Sequence, residues 1–190
     1  MILETERLIL RPFSEEDTAS LYESAKDERI GPWCGWPAHK SVEESRNIIK
    51  HVLMDEENYA VVLKSNNQLI GCAGLKLGNN CALTDKDNEG EIGYWIAVPY
   101  WRKGYASEAT TELIRRGFED LNLDVLWCGY YKGNEKSKGV QEKCGFKFHH
   151  ILNNVNCTLL NETRVEYVSI LERKKWNEME SSKLRNDCLQ

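Results

Sequence analysis

The residues best suited to chemistry surround a short basic turn, Trp101-Arg102-Lys103-Gly104-Tyr105-Ala106. Before it, Ile92, Tyr94, Trp95, Ile96 and Val98 are apolar and mostly β-branched or aromatic, which predicts a strand. Pro99 stops that strand because it has no N–H to give. After the turn, Ala106, Ala109, Thr110, Leu113, Ile114, Gly117 and Phe118 recur at helical spacing. A strand, a glycine turn and a helix N-terminus make an anion-binding device. The first N–H groups of a helix lack internal partners, and the helix dipole adds partial positive charge there. Gly104 lets backbone approach a ligand, and Arg102 and Lys103 add charge, so a phosphate or pyrophosphate is the natural occupant. The turn matches neither GxxxxGK[ST] nor GxGxxG.

The elements that position this turn are legible around it. Residues 5–11 predict a first strand ended by Pro12, and Ser14 with Asp17 caps a helix over 18–25. The segment 30–40 is broken by Gly31, Pro32, Gly35 and Pro37 yet carries Trp33 and Trp36. Those tryptophans either plug the end of the core or form a substrate-binding lip. Ser41 and Glu44 form a capping box for a helix running to about Glu56. Strands over 59–64 and 68–77 flank an Asn66-Asn67 turn, and Gly71 and Gly74 imply a bulge or a close backbone approach. A polar loop over 78–88 leads to the central strand, which Glu91 begins. Beyond the central helix come a strand over 124–131 and a helix over 137–143, capped by Asn134 to Ser137 and ended at Gly145. A final hairpin of 146–152 and 163–171 encloses a polar loop over 153–161. Residues 174–190 are polar, a surface helix or frayed tail.

The run Tyr100-Trp101-Arg102-Lys103-Gly104-Tyr105-Ala106-Ser107-Glu108-Ala109 resembles the pyrophosphate loop of the GNAT superfamily of acetyl-CoA-dependent N-acyltransferases. That loop reads Arg/Gln-x-x-Gly-x-Gly/Ala, and Trp101 departs from its first position. The departure is similar to the branch containing the ribosomal-protein N-terminal acetyltransferases, whose first strand also resembles Thr5-Glu6-Arg7-Leu8-Ile9-Leu10-Arg11. The resemblance implies a single-domain α/β fold over 1–173, with a mixed, mostly antiparallel twisted sheet flanked by helices. A splayed strand pair in that sheet would bind acetyl-CoA. It implies that backbone at Ile96, Ala97 and Val98 holds the pantetheine arm, and that Arg102, Lys103, Gly104, Tyr105 and Ala106 hold the pyrophosphate. It makes Glu91 the candidate base for the amine proton; the alternative is a surface carboxylate paired with a lysine. Asn134-x-x-Ser137 and Glu142-Lys143-Cys144-Gly145-Phe146 resemble the second CoA-contacting segment. The tyrosine that usually protonates the leaving thiolate falls at Gln141 and is missing; Ser137 stands as its substitute. Trp33 and Trp36 fall on the acceptor side.

Composition narrows the partners. The 190 residues carry a formal net charge of −5, which argues against nucleic acid and favours a cationic substrate. No apolar run has membrane-spanning length, and Met1-Ile2-Leu3-Glu4 begins no signal peptide. Seven cysteines, an odd number without CxxC or Cys/His ligand spacing, argue for reduced thiols in the cytoplasm and against zinc. His149 and His150, adjacent on a predicted strand, should point to opposite faces and not share an ion. No metal is expected. The expected activity is acetyl transfer to a primary amine, of a protein N-terminus or a small molecule, by a monomer or homodimer. The rival reading is a CoA-binding sensor without turnover.

Overall fold

The structure, a computed structural model, describes residues 1–187. One sheet of eight strands organises it, in the order β1-β2-β3-β4-β5-β6-β8-β7. The strands are β1 (Leu3–Glu4), β2 (Leu8–Pro12), β3 (Asn58–Leu63), β4 (Leu69–Leu77), β5 (Glu89–Ile96), β6 (Val125–Tyr131), β7 (Lys147–Cys157) and β8 (Glu162–Glu172). Every neighbouring pair is antiparallel except β5 and β6. Helices α1 (Thr18–Ala25), α2 (Val42–Ile48), α3 (Tyr105–Arg115), α4 (Glu135–Lys143) and α5 (Arg173–Asp187) complete it. This is the single α/β fold expected, with a short extra first strand and a C-terminal helix. Among the described residues no helix is long and apolar enough to cross a membrane.

Burial on both faces explains the near-continuous apolar run of β3. Tyr59, Val61 and Leu63 join one core with Ile92, Leu113, Ile114 and Phe118, beneath α3. Ala60 and Val62 face the other way and join Leu21, Ala25 and Ile49, beneath α1 and α2. Side chains of a strand alternate between faces, so a strand covered on both sides must be apolar throughout. The bulge expected near Gly71 occurs between Val61 and Val62 of β3 and their partners on β4. A Cβ on Gly71 would lie 2.3 Å from the Trp95 carbonyl oxygen, so only glycine fits.

Two segments differ from their predicted form. Helix α2 gives way to a wider π turn over Ile49–Leu53, so the helical stretch ends before Glu56. Strand β7 continues through the stretch predicted as loop, to Cys157. Two register shifts along it take up the extra residues, and Asn154 sits in the left-handed region with φ 61°. Its asparagines are tolerable because β7 is an edge strand open to water. The first shift falls between Phe148 and His150 and breaks the alternation there. His149 and His150 therefore do not diverge: their Nδ1 atoms lie 2.8 Å apart, against the edge of Trp127. The polar C-terminal stretch is helical through Asp187, and Trp176 packs on Phe118 at 5.4 Å. Cys188 lies outside the described residues.

Glu108, in the first turn of α3, ties that helix to the N-terminal strands. Its carboxylate accepts hydrogen bonds from the Thr5 hydroxyl (2.6 Å), the Arg7 backbone N–H (2.8 Å) and Arg7 Nε (2.7 Å). Burial pushes its pKa up, but these donors outweigh burial and hold it below the usual value. A lowered pKa means that its contribution is complete above the ordinary carboxylate range and fades as pH falls through the lowered value. Glu108→Gln should cost about 1.5–3 kcal/mol in urea denaturation at pH 7, the range for hydrogen bonds to a charged group. The difference from the unsubstituted protein should shrink as the pH is lowered into that range.

Candidate active site

Strands β5 and β6 pair over only three positions, Glu89 with Val125, Gly90 with Leu126 and Glu91 with Trp127. Beyond Glu91, β5 stays with β4 as far as Ile96. Beyond Trp127, β6 stays with β8 as far as Tyr131. The strands part, and a cavity of about 840 Å³ fills the wedge. The expected splayed pair is present, and the alternation of side chains gives the cavity two unlike walls.

One wall is basic and backbone-rich. Gly104 caps α3 with φ 84°, and Arg102 also has positive φ, at 61°. Left-handed residues placed this close together in a turn help direct N–H groups to one concave side. The first helical bond runs from Glu108 N–H to the Gly104 carbonyl, so the N–H groups of Tyr105, Ala106 and Ser107 precede the ladder. Arg102, Gly104, Tyr105 and Ala106 line the cavity, together with Lys136 and Lys143. Lys103 does not: its ammonium lies 5.3 Å from the Tyr100 ring, and its carbonyl accepts from Arg7. Trp101 donates from its indole to the Ile96 carbonyl at 2.6 Å, while the Lys136 ammonium lies 3.7 Å over its ring.

Ile96 reaches the wedge, but Ala97 and Val98 do not line this cavity. Strand β5 ends at Ile96, and the Ala97 N–H is spent on the Ile70 carbonyl at 2.7 Å. Val98 begins a 3-10 turn set up by Pro99. In an antiparallel ladder successive residues direct their backbone groups to opposite sides. Since Ala97 bonds toward β4, the N–H groups aimed at the wedge are those of Tyr94 and Ile96. The donors expected at three successive residues reduce to an alternating pair.

Asn134 caps α4 by accepting from the Ser137 N–H at 3.2 Å. The Ser137 hydroxyl lies 3.1 Å from the Tyr94 hydroxyl, which also donates to the Ser137 carbonyl at 3.2 Å. Burial raises the Tyr94 pKa well above its ordinary value, neighbouring Cys128 adds to the rise, and the bond to Ser137 only partly offsets it. Tyr94 therefore keeps its proton at neutral pH. Gln141 is 1% exposed and braces both sides, donating from Nε2 to the Gly129 carbonyl (3.1 Å) and the Ser137 hydroxyl (3.4 Å). Sequence reasoning missed Tyr94, because its ring alternates with Ile92 and Ile96 on the core face and reads as packing.

The other wall is acidic. Glu91 lines the cavity, 8% exposed, with both oxygens engaged. Oε1 accepts from the Lys76 ammonium at 2.5 Å, directly across the β4–β5 ladder, and Oε2 accepts from the Ala82 N–H at 2.7 Å. The lysine-paired carboxylate weighed in the sequence is thus present within the cavity wall. Glu166 of β8 lines the same wall and was missed; its one signal was a lone acid in an apolar strand run. Burial, then the charge of Glu91, raises its pKa, and Lys76 opposes that rise.

The two tryptophans separate. Trp33 is 44% exposed and lines the cavity near Gly133. Trp36 is not a lining residue: half-buried, it packs on Trp95 at 6.1 Å and on His39 at 5.2 Å, against the core beneath α1 and α2. Of the two, Trp33 alone lies at the cavity, and Trp36 packs against the core. Arg164 holds this segment by donating to the Pro32 carbonyl, and its guanidinium lies 4.8 Å from the Tyr131 ring. Among the described residues no cluster of three or more His, Cys, Asp or Glu could hold a metal ion.

Residues 7–147 match the family model described as an acetyltransferase (GNAT) domain. YoaA of Bacillus subtilis, described as an uncharacterised N-acetyltransferase, is 29% identical over 156 residues, covering 80% of this chain and 85% of that protein. A GNAT-family acetyltransferase from Bacillus anthracis superposes with a TM-score of 0.80 at 25% identity, covering 92% of this chain and 99% of the other. The ribosomal-protein-S5-alanine acetyltransferase of Vibrio fischeri superposes with a TM-score of 0.71 at 18% identity, covering 93% and 98%, a likeness of fold.

The division of labour between the tryptophans is measurable by chemical denaturation. Trp36→Ala should destabilise the protein by about 3 kcal/mol, the low end for truncating a packed aromatic. Trp33→Ala should stay within about 0.5 kcal/mol of the unsubstituted protein, as exposed positions do.

Proposed function

The chain belongs to the GNAT acetyltransferase family, and on that premise we propose that it moves the acetyl group of acetyl-CoA directly onto a primary amine. The observation that carries this reading is the wedge between β5 and β6, with a helix N-terminus at one wall and an acidic face at the other. The Tyr105, Ala106 and Ser107 N–H groups, with Arg102 and Lys136, suit a pyrophosphate. The N–H groups of Tyr94 and Ile96 suit the amides of a pantetheine arm laid along β5 as an extra strand. Acetyl-CoA is a co-substrate here, and no metal enters the scheme.

The reaction then needs three services from the protein. The amine must arrive neutral beside the thioester carbonyl, and the acidic wall supplies a proton acceptor. The C–N bond forms as the C–S bond breaks, and the fixed N–H groups of β5 favour negative charge on the carbonyl oxygen. The departing thiolate meets the Ser137 hydroxyl, held by Tyr94 and Gln141 at the mouth of α4. The acceptor is a cationic amine, in keeping with the acidic wall and the net charge of −5. The terminal amine of a protein is the first candidate, given the resemblance of the loop and first strand to the ribosomal-protein branch. Trp33 borders its entrance.

Thiol release from acetyl-CoA, measured against N-terminal peptides of ribosomal proteins, polyamines and aminoglycosides, tests the activity. Amine-dependent release with a matching acetamide by mass is expected. CoA binding without release to any amine would make the protein a sensor. In calorimetry, a folded Gly104→Glu variant should lose CoA affinity, because it sets a carboxylate where the pyrophosphate must approach, at a strained φ of 84°. Ser137→Ala should lower kcat while leaving CoA affinity nearly intact; an unchanged kcat with chemistry rate-limiting would leave the serine only its place beside the Asn134 cap.

A further inference from the structure

We propose that Glu166, rather than Glu91, accepts the proton of the incoming amine, an assignment that rests on the acetyltransferase reading above. It starts from an asymmetry between the two carboxylates of the acidic wall. Glu91 is committed, with one oxygen on the Lys76 ammonium and the other on the Ala82 N–H. Both Glu91 oxygens already accept hydrogen bonds, so an amine entering the wedge would have to compete with Lys76 and the Ala82 N–H for them. Glu166 lines the same cavity and has no hydrogen-bond or ion-pair partner among the described residues.

Its position is built rather than incidental. A Cβ on Gly129 would lie 2.0 Å from Glu166 Oε1. The carboxylate thus lies across β6 at Gly129, a place only glycine leaves open. Gly129 is two residues beyond Trp127, the last residue of β6 that pairs with β5. Glu166 therefore sits over the start of the wedge, on the face that also carries Glu91 and Tyr131. On the opposite face Gln141 grips the Gly129 carbonyl, so the same backbone unit braces Ser137 and makes room for Glu166.

The charged and titratable groups around Glu166 set its readiness. Glu91 on β5 disfavours its charged form; Lys76 on β4 favours that form but is neutralised in large part by its contact with Glu91. On β6, Cys128 and Tyr131 both feel the negative charge of Glu166, and burial keeps both protonated. Arg164 is drawn away toward Glu162 and the Pro32 carbonyl. Burial first, and then the charge of Glu91, raise the Glu166 pKa above that of an ordinary glutamate, which makes it a better base at working pH.

The ammonium gives one proton to Glu166, and its nitrogen lone pair forms the C–N bond at the thioester carbonyl. As the C–S bond breaks, the second nitrogen proton passes to the thiolate with the Ser137 hydroxyl between. Glu166 returns its proton to solvent.

Three variants, Glu166→Gln, Glu91→Gln and Gly129→Ala, assayed for acetyl transfer across pH and for CoA binding, test the assignment. Glu166→Gln should lower kcat about 10²–10⁴-fold, the usual worth of a general base, and erase the carboxylate limb of the pH–rate profile. CoA affinity should hold. Glu91→Gln should keep the limb and move it to lower pH, because a negative neighbour is gone and Lys76 is unpaired. Gly129→Ala should lower kcat and move the limb by displacing the carboxylate. A carboxylate resonance in ¹³C-glutamate-labelled protein should titrate above about 4.3, the unperturbed glutamate value, and vanish in Glu166→Gln. Turnover and limb unchanged in Glu166→Gln would overturn the assignment while leaving the acetyltransferase standing. An unsubstituted protein that binds CoA and acetylates no amine would overturn both.

Discussion

A strand that loses a neighbour leaves a row of N–H and C=O groups that must find other partners or stay in water. Here that constraint falls on β5 and β6 after only three paired positions. Each strand remains bound on its outer side, β5 to β4 and β6 to β8, so neither can drift back to close the gap. Much of the surrounding structure manages the unpaired edge. The indole of Trp101 takes the Ile96 carbonyl, and the side-chain amide of Gln141 takes the Gly129 carbonyl. The N–H groups of β5 remain directed at the wedge, so the cavity has donors on one edge and capped acceptors on both. Such an edge favours a ligand rich in carbonyls.

The helix that closes the wedge must be held in register with that edge, and Glu108 does this from outside the cavity. Its position in the first turn of α3 is favourable for a carboxylate through the helix dipole alone. The structure shows the stronger reason: one carboxylate gathers a hydroxyl, a backbone N–H and a guanidinium from the turn between β1 and β2. Arg7 in turn donates to the Lys103 carbonyl and lies 4.5 Å from the Tyr105 ring. The glycine turn is thus clamped to the first strands, a hundred residues away in sequence, which links the two stretches that carried the family resemblance.

The order of elements, the helix after the turn and the need for glycine at Gly71 were legible because each depends on local pattern: period, caps and breakers. What the sequence concealed depends on which face a residue meets across the sheet. Tyr94 reads as a core aromatic, and its ring is one; only its hydroxyl reaches Ser137. Glu166 reads as an odd charge in a strand until β6 is seen to offer Gly129 opposite it. Ala97 and Val98 read as part of the strand because their types suit one, but the Ile70 carbonyl and Pro99 end it first. His149 and His150 read as diverging because a uniform period of two was assumed, and a bulge inverts that expectation.

The departure from the family pattern at Gln141 has a counterpart in this geometry. A tyrosine at residue 141 would bring a phenol to the wedge from α4. Here β5 brings one instead, from Tyr94, and the position on α4 is left to a residue that can bond two ways at once. Gln141 donates to both the Gly129 carbonyl and the Ser137 hydroxyl, whereas a phenol, with its single hydroxyl proton, could donate to only one of them. Burial makes the Tyr94 hydroxyl a poor acid but a dependable donor. A thiolate is a weak base, so a positioned donor that keeps its proton serves it better than an acid that has already lost one. Gln141 thus braces a hydroxyl pair, Tyr94 and Ser137, at the positive end of α4, the place where the sulfur's charge develops in the proposed reaction.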